Sequence, residues 1–223
     1  MSNPEHLTNV HLHYDVPYPG KGASYFDPSA KDLRFEPQDP AVHKPFNIET
    51  CLNKKLRWMT LGGQYDWTNK VYPSSSPPPF PADMAKLVGD LFGMTPEAAI
   101  VNLYSPGDTL SLHRDLSEEC NRPLVSISLG CDGIFLIGLE GDVEGNSEPR
   151  MATLRLRSGD AVVMAGESRY AWHGIPKVLG STCPSWMADW PCVDGREEKE
   201  KCQDWKGWTK GKRINLNVRQ MFA

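Results

Sequence analysis

Residues 99–115 read AIVNLYSPGDTLSLHRD, two short apolar-rich runs split by the turn signal SPGD. Each run alternates in the manner of a half-buried strand, and Ser-Pro-Gly-Asp is turn chemistry. Working downstream, LVSISLG (124–130), GIFLIGL (133–139), MATLRLRSGD (151–160), AVVMAG (161–166), YAWHGI (170–175) and RINLNVRQM (213–221) repeat the pattern. Their separators are SEECNRP, CDG and EGDVEGNSEP, again rich in turn formers. So many short strands with little helix between them predict a double-sheet roll or barrel.

Upstream, residues 82–92 place Met84, Leu87, Val88 and Leu91 at helical spacing, which predicts one amphipathic helix. The first 50 residues are rich in Pro, Tyr and Asp and carry no periodic pattern; they read as an extended arm wrapping a core, or as a linker. Between His173 and Arg213 runs a long irregular insertion, rich in tryptophan and holding the charged stretch GREEKEK (195–201). It is too long for a hairpin loop and predicts a lid, a binding loop or a partly disordered segment. The implied organisation is an arm (1–50), a segment with a helix (51–98), and a core (99–223) with an insertion at 182–210.

Composition bounds the function class. The 223 residues carry a net charge of −4, so binding to a phosphate backbone would need a local basic patch. No apolar run approaches the roughly 20 residues of a membrane helix. Residues 1–20 lack a signal-peptide apolar core and the Arg-rich, acid-poor character of a transit peptide. The six cysteines contain no CxxC pair, which argues against structural zinc and suits reduced thiols inside a cell.

On a strand, TLSLHRD projects Ser111, His113 and Asp115 to one side and Leu110, Leu112 and Arg114 to the other. An imidazole and a carboxylate then reach one ion, and His173 is the candidate third ligand of a facial triad for Fe(II). HxD alone is a weak motif, and a single His at a strand end is usually structural. In RINLNVRQ, Arg213, Asn215, Asn217 and Arg219 share one face, opposite Ile214, Leu216 and Val218. Two arginines on one strand face suit a dicarboxylate such as 2-oxoglutarate; a solvated edge strand is the plainer reading. Asn102 and Tyr104, on one face just before the HxD strand, add neutral hydrogen-bonding groups.

Taken together, NLYSPGDTLSLHRD, PLVSISLGCDGIFLIGL, LRSGDAVVMAGESRYAWHGI and RINLNVRQ resemble the AlkB family of nucleic-acid dioxygenases, whose pattern is N-x-Y, H-x-D, H, then R-x-N-x-x-x-R. The resemblance spans residues 56–221. KKLRWMTLGGQYDWTNKVYP is most similar to the first eukaryotic AlkB homologue subfamily. It implies a mostly β protein with flanking helices, α+β overall, built on a double-stranded β-helix (jelly-roll) core. It implies iron ligands His113, Asp115 and His173, which would also be the catalytic centre. It implies 2-oxoglutarate contacts at Asn102, Tyr104, Arg213, Asn215 and Arg219, with O2 as co-substrate. The implied reaction is oxidative demethylation of N-methylated bases: N6-methyladenine in DNA, or 1-methyladenine and methylcytosine in RNA and tRNA.

The family's substrate-reading acidic residue is replaced by Ser117, and the nearest aromatics for a flipped or unpaired base are Tyr65, Trp67 and Tyr72. Lys54, Lys55, Arg57, Lys206, Lys210 and Lys212 are candidates for phosphate contacts. The resemblance further implies a monomer in the nucleus, mitochondrion or cytoplasm, with no membrane partner. The same iron and 2-oxoglutarate residues would serve a protein-directed oxygenase, such as a histone demethylase or hydroxylase. A non-enzymatic nucleic-acid-binding module fits less well, since the metal ligands and both arginines are present.

Overall fold

The computed structural model describes residues 4–20, 22–66, 69, 72, 77–116, 120–141, 148–193 and 199–222. In chain order its strands are β1 (Tyr14–Asp15), β2 (Arg34–Pro37), β3 (Phe46–Asn47), β4 (Trp58–Gly62), β5 (Ala98–Tyr104), β6 (Leu110–His113), β7 (Leu124–Gly130), β8 (Gly133–Leu139), β9 (Arg150–Leu156), β10 (Ala161–Met164), β11 (Trp172–Val178) and β12 (Arg213–Arg219). A five-stranded sheet runs β10-β7-β12-β5-β4 and a four-stranded sheet runs β6-β11-β8-β9. Both are antiparallel throughout. Tyr104, Leu124 and Met164 of the first meet Phe135, Leu156, Ile175 and Val178 of the second in one buried cluster. Two sheets closed over a shared core form the jelly roll that the strand pattern predicts.

β12 lies between β5 and β7, so neither of its edges is open. Leu216 and Val218 pack with Leu61, Val88, Ala99 and Val125 on the outer face. Arg213, Asn215, Asn217 and Arg219 are buried on the face toward the second sheet. The solvated edge-strand reading is therefore wrong for this strand. The sequence alternates, but its place in the sheet buries the polar side.

The helix Ala82–Phe92 forms where the spacing predicts it and ends at Gly93, whose φ of +63° suits a residue without Cβ. Its buried stripe differs from the prediction. Met84, Val88 and Phe92 touch the sheet, while Leu87 and Leu91 face outward. A stripe at i, i+4 and i+8 is masked in the sequence by the apolar residues directly before its second and third members, which point about 100° away around the helix.

The arm is no linker. Val10, Tyr14, Tyr25, Phe35, Phe46, Ile48, Cys51 and Leu52 form a core of their own that includes Leu103 of β5. Phe35 stacks on Phe46 at 4.9 Å, and Thr8 bridges to Met59 of β4. Of the described insertion residues, Trp205 and Trp208 pack against that core, while Cys183 packs against the core between the two sheets. Trp190, Trp205 and Trp208 surround Phe26. None of the described insertion residues at 182–210 lines the cleft described below. Among the described residues no helix is long and apolar enough to cross a membrane.

Candidate metal and oxo-acid site

β6 and β11 pair in the register that sets His113 opposite His173. Their rings lie 4.3 Å apart between centroids. The strand ends at His113, earlier than the sequence pattern suggests, and Asp115 joins the pair from beyond it. His113 Nε2 lies 3.9 Å from Asp115 Oδ1, and His173 Nε2 lies 3.9 Å from Oδ2. One ligand atom from each residue falls within 4.8 Å of the others.

The ring orientations test whether these residues suit a metal. His113 Nδ1 is 3.0 Å from the Ser111 carbonyl and His173 Nδ1 is 3.0 Å from the Ala171 carbonyl. A carbonyl only accepts, so each Nδ1 carries a proton, which leaves Nε2, on the Asp115 side, as the nitrogen free to bind a metal. Burial pushes His173 below its ordinary value, toward the neutral form. Burial acts to raise the Asp115 carboxyl, but the Arg219 charge and its hydrogen bond, with the two imidazoles beside it, outweigh burial and hold it below the usual carboxylate range. Neutral imidazole and ionised carboxylate are the forms a metal requires. The donor set fits Fe(II), with two imidazoles and one carboxylate.

Two arginines brace this corner. Arg219 donates to Asp115 Oδ2 at 2.7 Å. Arg169, buried and seated on the Tyr170 ring, donates to the Asp115 carbonyl at 3.1 Å and to the Arg122 carbonyl at 2.8 Å. Sequence reasoning missed Arg169, since nothing local distinguishes it from a surface arginine.

Beside the cluster runs a narrow cleft lined by Leu110, Ser126, Phe135, His173, Arg213 and Asn215. In register, Arg213 sits between Tyr104 and Gly130, and Asn215 between Asn102 and Ser128. Arg213 is fully buried, and its Nη2 donates to Ser128 Oγ at 3.0 Å. Its Nε and Nη1, and the Tyr104 hydroxyl, have no hydrogen-bond partner among the described residues. A guanidinium left this way is costly unless an anion answers it. The forked donors suit a carboxylate of the kind an oxo-acid carries. Asn215 Nδ2 is held by Ser126 Oγ at 2.8 Å. Gly133 makes room for the arginine, because a Cβ there would come within 2.7 Å of Arg213 Nε. The serines of β7 and Gly133 were also missed; the inward alternation of Ser126 and Ser128 in LVSISLG was the available signal.

Of the candidate base-stacking residues, Tyr65 and Tyr72 come together with ring centroids 5.1 Å apart. Tyr65 follows the end of β4, where Gly62, Ala98 and Arg219 are aligned across three strands. The segment thus leaves the sheet at the Arg219 end. Trp67 and Ser117 lie outside the described residues. Lys212 is not a phosphate contact. It is buried, and its Nζ donates to the Asn53 carbonyl and to Ser105 Oγ. Arg57 pairs with Asp108, and Lys206 lies 3.7 Å from Asp189, while Lys54, Lys55 and Lys210 are exposed.

Residues 23–219 match the family model described as the 2OG-Fe(II) oxygenase superfamily. The chain belongs to that superfamily. Within it, this oxygenase is an AlkB homologue. It is 52% identical over 226 residues to "N6-methyladenosine RNA demethylase ALKBH" of Cryphonectria parasitica, covering 95% of this chain and 99% of that protein. It is 39% identical over 240 residues to "tRNA demethylase abh1" of Schizosaccharomyces pombe, covering 99% of this chain and 70% of the relative. The solved structure of OsALKBH1 superposes with a TM-score of 0.57 at 26% identity, covering 73% of this chain and 77% of that one. Membership of the 2OG-Fe(II) oxygenases implies Fe(II) and 2-oxoglutarate, and the His113, Asp115 and His173 cluster is the possible metal site.

Proposed function

We propose that this oxygenase oxidatively demethylates N-methylated nucleobases, with His113, Asp115 and His173 as the iron ligands. The observation that carries the reading is the buried, partly unpartnered Arg213 guanidinium beside that cluster. It supports a bound dicarboxylate next to a metal. The nucleic-acid assignment is supported by the two relatives above, both named as RNA demethylases.

In this reading Arg213 receives the distal carboxylate of 2-oxoglutarate, and Tyr104, Asn102 and Asn215 line its path. Arg219, on the same strand face as Arg213, keeps Asp115 ionised and oriented. When bound, iron with 2-oxoglutarate and O2 supplies the oxidation of an N-methyl carbon, whose hydroxylated product releases formaldehyde. Ser111 and Ala171 hold the imidazole protons away from the ligand nitrogens.

The target base would be unpaired or flipped out to reach the cluster. Residues 51–98 would be the recognition segment, with Tyr65 and Tyr72 as its stacking pair, between the arm at 1–50 and the core at 99–223. The reading needs one copy of the chain and a compartment holding nucleic acid: nucleus, mitochondrion or cytoplasm.

The test is incubation with Fe(II), 2-oxoglutarate and methylated RNA and DNA oligonucleotides, followed by mass spectrometry of the nucleosides. Loss of a methylated base matched by succinate and formaldehyde is expected. Intact N6-methyladenine, 1-methyladenine and methylcytosine in every strand, with turnover on methylated histone peptides instead, would overturn it.

A further inference from the structure

A cavity of about 520 Å³ opens between the arm and the tryptophan-rich insertion. Tyr25, Phe26, Trp205 and Trp208 supply its aromatic walls. It lies on the opposite side of the five-stranded sheet from the oxo-acid cleft. Leu103 packs in one cluster with Tyr25, Trp205 and Trp208, while its neighbour Tyr104 pairs in register with Arg213. Adjacent residues of a strand project to opposite faces.

Two polar atoms on the residues lining this cavity are unanswered. Asp27 is 8% exposed, and its Oδ2 accepts from the Ser24 N–H, but its Oδ1 has no partner among the described residues. The Trp208 indole N–H has none either. Buried groups left unpaired call for an explanation. Here an unmet acceptor and an unmet donor accompany aromatic surface. The charged residues lining the cavity are Asp27, Glu49 and Asp204 against Lys31 and Lys206. An excess of carboxylate disfavours a phosphate inside and favours a neutral or cationic planar ring.

We propose that this cavity is a second, non-catalytic nucleobase site, which takes an unpaired base of the substrate strand other than the base being demethylated. The proposal rests on the nucleic-acid reading above. The base stacks on the tryptophans, gives an N–H to Asp27 and accepts from Trp208, while the phosphates stay outside. Stacking of this kind holds single strands without demanding one sequence.

The test uses the full chain labelled with 5-fluorotryptophan and titrated with the four standard ribonucleosides, without iron or 2-oxoglutarate. Resonances of Trp205 and Trp208, assigned from W205F and W208F, should shift saturably with at least one nucleoside. Asp27→Asn should weaken that binding about tenfold, the scale of a lost charged hydrogen bond. Trp208→Phe keeps the ring without the N–H and serves if Asp27→Asn fails to fold, as checked by thermal melting. On a methylated oligonucleotide of about 20 residues, both variants should raise KM about tenfold with kcat retained, and leave turnover of a single methylated nucleotide unchanged.

No shift with any nucleoside, or shifts undiminished in both variants, would overturn the proposal. So would saturable binding of choline in place of nucleosides. The titration needs neither methyl group nor turnover, so its failure leaves the demethylase reading standing, and failure of that reading leaves the titration interpretable.

Discussion

The Arg219 guanidinium and the Asp115 carboxylate, 104 residues apart in the chain, meet at 2.7 Å. This contact joins the last strand of one sheet to the metal corner formed by the other. It holds Asp115 in the ionised form and fixes which way its second oxygen points.

Replacing Arg219 by Met should therefore weaken metal binding about 10- to 100-fold, the usual effect of losing a partner that orients a ligand. Titration with Co(II), followed by its visible absorption, measures it. Wild-type affinity in the variant would mean that Asp115 needs no such support.

Arg213→Lys should raise the apparent KM for 2-oxoglutarate at least tenfold, because an ammonium cannot supply the paired donors of a guanidinium. Gly133→Ala should act in the same direction without touching a charge. Its Cβ would lie 2.7 Å from Arg213 Nε and 3.0 Å from Cζ, so the guanidinium would have to leave its present position beside Ser128. Succinate production at varied 2-oxoglutarate reads both variants.

Phe35→Ala removes a fully buried ring stacked on Phe46 and should cost roughly 3–5 kcal/mol. Denaturant unfolding should show that loss across the whole transition, because the arm shares its core with Leu103 of β5. An unchanged midpoint would mean that the arm is a tether and adds nothing to the core.

Alkaline pH should destabilise the fold. Burial pushes the Cys51 thiol from its ordinary 9.0 up to about 12, and burial first, with Asp108 adding to it, pushes Tyr104 from 10.0 to about 12. For Cys51, stability is full below about pH 9, where the thiol is neutral in both states. It then falls toward about pH 12, because only the unfolded chain ionises. The urea midpoint should drop over that window, and Cys51→Ala should flatten the drop.

Much of the chemistry was legible locally. The alternation of RINLNVRQ put Arg213, Asn215 and Arg219 on one face, and HxD put an imidazole and a carboxylate within reach of one ion. Strand periodicity depends only on neighbours two residues apart, so one segment suffices to reveal it. The stripe of the helix at 82–92 was only partly legible, since Leu87 and Leu91 are apolar and yet exposed.

By itself, then, the sequence determined the residue types and the faces of β12, and the resemblance its motifs carry implied the reaction class. The faces of β6 were not legible, since Leu110 turns inward and Asp115 lies beyond the strand. Tertiary structure decided which groups meet. It set His173 opposite His113, closed Arg219 and Arg169 on Asp115, buried Lys212 that looked like a surface cation, and folded Trp205 and Trp208 of the insertion onto the arm side of the sheet. Those contacts join residues dozens of positions apart. They exist only because two sheets and an arm close on one another, and no local periodicity carries that information.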